Sequence, residues 1–441
     1  MNSSPPTDAV APRSVESGAA LRFAREVGRF AWLQMFVQLI GFTTGILLVR
    51  RLEQHEYALF TIANTMQGAI NVLADIGISI GLISIGGRVW QDPHRFGELV
   101  STGMKLRRKL GAGSVLVVTP VLYFMLVRNG ASVFYAAALI AAVLGGLYVQ
   151  LSFGVLDVVP RLHSDFRQIQ KIDFTGSLAR LAVIGALTLV FLNAGLAVLV
   201  GSGTLLLQYL MLRRYAAGMI DLHAEENLED RKAMIGFIRS RAANAIFFCL
   251  QGQITIFLIT FFGHRAGAVA EVGALGRLAM IFSVLGNLLT NIFSPAFARC
   301  QERRQLGWLY AGIAGGVAGF SLLVLGGAAL LPDAFLFVLG SKYSHLQYAL
   351  LLMIGGAVLN MMATTLWTLN ASRAWIVGSW LYIPLTLGTQ VLLIPFTDFS
   401  SVDGVLTFNL ISVVPSLLLN LGLSYRGFRQ PLPAEIAVAS R

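Results

Sequence analysis

The sequence predicts an all-α polytopic membrane protein, with about twelve transmembrane helices in two six-helix bundles around a central cavity. Three observations predict this. The composition is apolar, basic residues alternate along the chain, and polar residues recur at helical spacing inside apolar segments. Of 441 residues, 56% are hydrophobic and 12% charged, and the mean hydropathy is +0.71. A soluble chain carries about 25% charged residues. The 45 glycines suit the same class, because glycine lets membrane helices pack closely or bend.

A span needs ~20 apolar residues. Cutting at charge clusters and Gly, Pro and Asn turns gives twelve segments. They lie near 30–49, 57–85, 111–127, 132–152, 172–192, 195–212, 243–262, 271–296, 309–331, 347–370, 376–396 and 403–424. The second is longer than a span requires and is expected to begin in the interface. The opening stretch MNSSPPTDAVAPRSVESGAA lacks the charged-then-apolar order of a cleaved leader. Residues 1–18 are therefore expected as a disordered cytoplasmic tail. Arg22, Arg25 and Arg29 follow as an interfacial anchor.

The charge pattern tests this cut. With the N-terminus inside, the two tails and five inner loops hold 26 of the 33 Lys and Arg residues. The outer loops hold Arg50, Arg51, Arg128, Arg265 and Lys342. Arg180 and Arg277 remain, inside spans five and eight. The bias follows the positive-inside rule and places both termini in the cytoplasm. It also accounts for the net charge of +11, so no nucleic-acid partner is expected. The expected organisation is a six-helix bundle over 19–212, a cytoplasmic connecting loop over 213–242, a second bundle over 243–424, and a cytoplasmic tail over 425–441. Two cysteines, Cys249 and Cys300, indicate no disulfide framework.

The halves carry matching segments. NVLADI at 71–76 pairs with NLLTNI at 287–292, an offset of 216 residues. Gln34 and Gln38 pair with Gln251 and Thr255 at nearly the same offset. Parallel repeats of this kind enclose a central cavity and rock around it.

Helical spacing orders the polar residues into stripes. Asn64, Gln67, Asn71 and Asp75 share one face of span two, and Arg277, Asn287 and Asn291 share one face of span eight. Gln34 and Gln38 align with Gly41 and Gly45 on span one. Asp173, Ser177 and Arg180 align on span five, and Asn244, Gln251 and Thr255 on span seven. A single Asn or Gln is as well explained by a hydrogen bond to a neighbouring helix, worth ~0.6 kcal/mol. Five stripes, drawn largely from equivalent spans, favour a hydrophilic lumen.

A guanidinium stays charged, and at mid-bilayer it costs at least ~2.5–3.5 kcal/mol. Its natural buried partner is a phosphate or a carboxylate. Arg180, about nine residues into its span, is too deep to reach the headgroups easily. Its alternative to a ligand is an ion pair with Asp75, Asp157 or Asp173. Arg277 is shallower, with the outer headgroups as its alternative. Asp75 is read first as the partner of an arginine and second as a proton carrier. The candidate substrate-binding residues are Arg180, Arg277, Asn64, Gln67, Asn71, Asp75, Gln34, Gln38, Gln251, Asn287 and Asn291.

No ATP-hydrolysing loop, metal-ligand spacing or nucleophile elbow occurs, so no catalytic residue, cofactor or metal is expected. A transporter is expected rather than an enzyme.

Three segments carry a family resemblance. RRLEQHEYALFTIANTMQGAINVLADIGIS resembles the span-one-to-two signature of bacterial polysaccharide flippases. AEVGALGRLAMIFSVLGNLLTNIFSPAFARCQE is similar to the element that opens their second half, and FVLGSKYSHLQYALLLMIGGAVLN to the motif before span ten. Such proteins belong to the multidrug/oligosaccharidyl-lipid/polysaccharide (MOP) exporter superfamily. The resemblance implies two bundles around a V-shaped cavity in the bacterial inner membrane. It also implies alternating access that moves undecaprenyl-pyrophosphate-linked repeat units to the outer leaflet, for O-antigen or exopolysaccharide synthesis. A polysaccharide polymerase and a chain-length regulator would be its partners. Alternative readings are a cation-coupled multidrug exporter of the same superfamily, which would want acidic rather than basic groups in its lumen, and a membrane glycan polymerase.

Overall fold

A computed structural model describes residues 14–263, 267–300 and 302–430, with side chains from Trp32 onward except at 291 and 292. The first half comprises α1 (Ser14–Arg51), α2 (Gln54–Asp75), α3 (Ile78–Val89), α4 (Pro93–Arg128), α5 (Val133–Leu156), α6 (Val158–Leu162), α7 (Phe166–Val190) and α8 (Ala194–Ala216). The second half comprises α9 (Leu228–Phe262), α10 (Ala268–Ala279), α11 (Ile281–Leu288), α12 (Ser294–Arg299), α13 (Arg303–Leu330), α14 (Pro332–Leu339), α15 (Gln347–Ser372), α16 (Tyr382–Leu393) and α17 (Val402–Arg429). Among the described residues, ten helices are long and apolar enough to cross a membrane. Two bent pairs, α2 with α3 and α10 with α11, raise the number to twelve.

Polar caps decide where the spans begin. The side chains of Asp92, Ser132, Asp165, Asn193, Asn227 and Ser401 accept backbone N–H bonds at the starts of α4, α5, α7, α8, α9 and α17. Each such cap contributes about 1 kcal/mol and satisfies donors that have no partner within the helix. Between caps, apolar faces meet. A large core joins the two halves, from Leu59 and Ile62 of α2 to Leu275 of α10 and Ile354 of α15. A smaller core packs α3, α4, α6 and α8 around Phe96 and Val159, and reaches Met234 of α9.

Several expected boundaries move. The segment expected as a loop over 213–242 is helical to Ala216 and again from Leu228, so the connection narrows to eleven residues, 217–227. Its charges looked like a loop but lie on solvated helix ends. The remaining connection is strapped to α4. Arg95 makes a two-pronged pair with the buried Asp230, at 2.5 and 2.7 Å. The Asp221 N–H donates to the Pro93 carbonyl at 3.0 Å. The backbone N–H of His223 and the ring of His94 hold the Asp221 carboxyl below the usual carboxylate range. At the other end of α9, Arg128 donates to the carbonyls of Thr260 and Phe261. Although α9 opens the second half, both its ends are bonded to the first. The expected tail over 1–18 is helical from Ser14, and α17 runs on to Arg429. Residues 1–13 and 431–441 of the two expected tails lie outside the described residues.

A further group of bonds between halves lies at the end that the charge pattern assigns to the outside. Arg50 donates to the Val338 and Phe337 carbonyls, Lys342 to the Leu52 carbonyl at 2.8 Å, and the Tyr57 hydroxyl to the Gly273 carbonyl at 3.3 Å.

The two segments matched at an offset of 216 residues both end in irregular backbone. After Asp75, Ile76 leaves the helix and Gly77 takes φ +81°, bending α3 by 45° from α2. At the matching place, Leu289–Phe293 form a π-turn. Turns of this kind are frequent at functional sites. Gly77 is required twice, by its left-handed backbone and because an added Cβ would lie 3.1 Å from the Phe237 carbonyl oxygen of α9. Gly77→Ala should destabilise the chain by about 1–3 kcal/mol, seen as a lower melting temperature in detergent. An unchanged melting temperature would show that this bend is not fixed as described.

Candidate functional site: a cationic polar cavity in the first half

A cavity of about 390 Å³ opens between α2, α5, α7 and α8. Phe60 and Gly68 bracket Asn64 and Gln67 on α2. Gln150 enters from α5, Gly176, Ser177 and Arg180 from α7, and Gly201, Thr204 and Gln208 from α8. The helical stripe on α2 and the stripe on α7 therefore face each other across one space. Gln67 donates to Gln150 at 3.2 Å, and Gln208 donates to the Ile172 carbonyl at 3.4 Å. These bonds hold the amides upright on the wall and leave other polar atoms turned to the cavity.

Arg180 is the charged group in this lining. It stands near the middle of α7, roughly 21 Å from the start of the helix at 1.5 Å per residue. Its Nε is buried without a hydrogen-bond partner. Its Nη2 lies 3.6 Å from the position a Cβ would take on Gly201, so α8 leaves room for the guanidinium. Among the described residues no carboxylate pairs with it, and the charged group acting on it is Arg277, of like sign. Two of the three expected alternative partners are engaged by other arginines. Asp75 pairs with Arg107, and Asp157 with Arg161 at 2.6 Å.

Arg277 comes from the second half. Its Nε donates to the Tyr57 hydroxyl at 3.3 Å, and its side chain crosses α1 over Gly45, where an added Cβ would be 3.2 Å from Cδ. It thus turns inward to α1 and α2, not to the outer headgroups.

The other candidates divide. Asn64, Gln67 and Arg180 line the cavity. Asn71 and Asp75 are engaged by the buried Arg107, at 3.1 and 3.5 Å. Gln38 accepts from Ser283 at 3.0 Å, joining α1 to α11. Gln251 exchanges two bonds with Gln390 of α16, at 3.0 and 2.7 Å. Gln34 and Asn287 are half-buried and outside the cavity lining. The side chain of Asn291 lies outside the described residues. One lumen does not gather all eleven; part of the polar stripes is helix-to-helix bonding.

Sequence reasoning missed Gln150, Thr204, Gln208 and Arg107. Gln150 is a lone amide in an apolar span and forms no stripe, whereas Thr204 and Gln208 stand one turn apart on α8 and share a face with Gly201. Arg107 belongs to the basic run KLRRK, which by its charge reads as a loop. In fact α4 continues through that run, and Arg107 is 4% exposed. Arg180 and Arg277 are therefore not the only arginines within the spans.

No protein-family profile matches this sequence, and no curated protein matches it. Solved structures do. The lipid II flippase MurJ in an inward closed conformation aligns over 90% of this chain and 88% of its own, with TM-score 0.71 and 10% identity. An inward-facing multidrug resistance MATE family transporter of the MOP superfamily aligns over 88% and 95%, with TM-score 0.62 and 14% identity. A MOP-superfamily transporter from Pyrococcus furiosus, described as having a binding pocket of reversed polarity, aligns over 91% and 95%, with TM-score 0.54 and 15% identity. The fold is that of MOP-superfamily transporters. These neighbours are transporters and flippases, not enzymes.

The assignment of Gln251 to a helix contact is open to a double-mutant cycle. Gln251→Leu or Gln390→Leu alone should lower thermal stability, while the double variant recovers a coupling of about 0.6–1.7 kcal/mol. Additive effects in detergent melts would return Gln251 to the lumen.

Proposed function

We propose that this chain is a flippase that moves polyprenyl-pyrophosphate-linked oligosaccharides across the bacterial cytoplasmic membrane by alternating access, for O-antigen or exopolysaccharide synthesis. The observation that carries this reading is Arg180, a guanidinium with no carboxylate partner among the described residues, in a cavity whose other polar lining groups are neutral. A charge in a low-dielectric site needs a counter-charge, and a planar fork suits a phosphate. The like-charged Arg277 reaches toward the same space from the other half, so a ligand with two anionic groups relieves both.

The neutral lining fits the rest of such a ligand. Asn64, Gln67, Gln150, Ser177, Thr204 and Gln208 offer both donors and acceptors, which is what sugar hydroxyls require. The polyprenyl tail needs no cavity, because it stays in lipid. The MOP fold supplies two halves that rock, and the resemblance to polysaccharide flippases supplies the substrate class. Asp75, the acid that a cation-coupled exporter would use, is already committed to Arg107. That weighs against the exporter reading. The charge pattern supports a cytoplasmic location for both termini, and a polymerase and chain-length regulator would act on the delivered units.

In a strain whose own copy is deleted, Arg180→Ala should leave the protein in the membrane, abolish surface polysaccharide, and accumulate lipid-linked repeat units on the inner leaflet. In detergent, the same change should weaken binding of a polyprenyl diphosphate sugar by about 30-fold or more, the cost of removing one partner of a buried charged contact. Arg180→Lys should recover part of the affinity. Full polysaccharide from an Arg180→Ala, Arg277→Ala variant would sink the assignment.

A further inference from the structure

Arg107 has no place in the cavity, yet it is the most deeply buried arginine among those with a described contact to a helix break. It projects from α4 between two such breaks. One is the α2–α3 bend after Asp75, and the other is the α5–α6 junction at Asp157. Its Nη2 donates to Asn71 at 3.1 Å, one turn before the first break, and its Nη1 stands 3.5 Å from Asp75 at the break itself. Asp75 in turn accepts from Ser79 at 2.6 Å, across the bend. Toward the second break, the backbone of α5 lies against the guanidinium. A Cβ on Gly154 would fall 2.4 Å from Nη1. Asp157 acts on Arg107 electrostatically from three residues further on.

This placement joins the cavity to the contact between halves. Asn64 and Gln67 line the cavity from α2, two turns above Asn71 and Asp75. Below the bend, α3 packs on α9, with Gly77 against the Phe237 carbonyl and Gly81 against Met234. A rotation at the bend therefore moves cavity groups and the α9 contact together. The guanidinium is also under-satisfied as it stands. Its Nε and Nη1 are buried without a hydrogen-bond partner. Buried donors without partners are costly, so a conformation that supplied them with acceptors would compete with this one.

We propose that Arg107 is the positioning residue of the transport cycle, a shared pivot that sets the α2–α3 and α5–α6 breaks and so couples the cavity to the α3–α9 contact. It touches no substrate. The inference rests on alternating access by this fold but not on the identity of the cargo.

The test uses the full chain with Cys249 and Cys300 replaced by serine, and spin labels at Gln91 and Gln305 on the inner ends of the two halves. Distances are read without any ligand. Gly154→Ala keeps the charge of Arg107 but displaces its fork. Arg107→Leu with Asp75→Leu removes both members of the pair, which a buried site tolerates better than the loss of one. Both variants should melt near the parent, yet each should change the relative populations of the short and long Gln91–Gln305 distances by about tenfold. Binding of a polyprenyl diphosphate sugar should still depend on Arg180 in either background, with Arg180→Ala weakening it by about 30-fold or more. Distance distributions that superimpose on the parent in either variant would overturn the pivot. Failure of diphosphate binding to depend on Arg180 would overturn the flippase reading instead and leave the distance result standing.

Discussion

The membrane's intolerance of an uncompensated charge organises this protein. In water, an arginine is solvated wherever it sits. In a bilayer core, each guanidinium must be paired, hydrogen-bonded or supplied with an anion. The three central arginines meet that demand in different ways. Arg107 is held by Asn71 and Asp75. Arg277 rests on the Tyr57 hydroxyl across the two halves. Arg180 faces a cavity with neutral polar walls and no carboxylate among the described residues. The first arrangement shapes the fold, the second ties the halves together, and the third leaves a charge for a ligand to complete.

Much of this was legible in the chain because the bilayer imposes simple rules. Apolar length set the spans, ten helices among the described residues or twelve when each bent pair counts as one. The stripe on α2 did point Asn64 and Gln67 toward the same space as Arg180. What the stripes could not separate was lumen from helix contact, since both need the same polar face. Gln251 and Gln38 follow the same periodicity as Gln67, yet each is spent on a neighbouring helix, with Gln390 and Ser283. Only the partner's position decides, and periodicity within one helix carries no information about it.

Arg107 shows the opposite failure. A cluster of like charges reads as a solvated loop, but a helix can bury one member of a run while its neighbours stay in water. Here Lys105 reaches Glu226 and Arg108 lies over the Tyr148 ring, while Arg107 turns inward. The connecting segment misled in the same way. Its charges belong to straps such as Arg95 with Asp230, which fix α9 to the first half and leave only a short true connection. The division of the chain into six and six spans is thus less clean in space than along the sequence.

The central claim is that Arg180 and the amides around it hold the anionic headgroup of a lipid-linked sugar. The most direct measurement is an electron cryomicroscopy map of the full chain in nanodiscs with a polyprenyl diphosphate sugar added. The account predicts phosphate density at the Arg180 fork and sugar density against Gln67, Gln150 and Gln208. Headgroup density elsewhere, with the α2–α5–α7–α8 cavity empty, would contradict it.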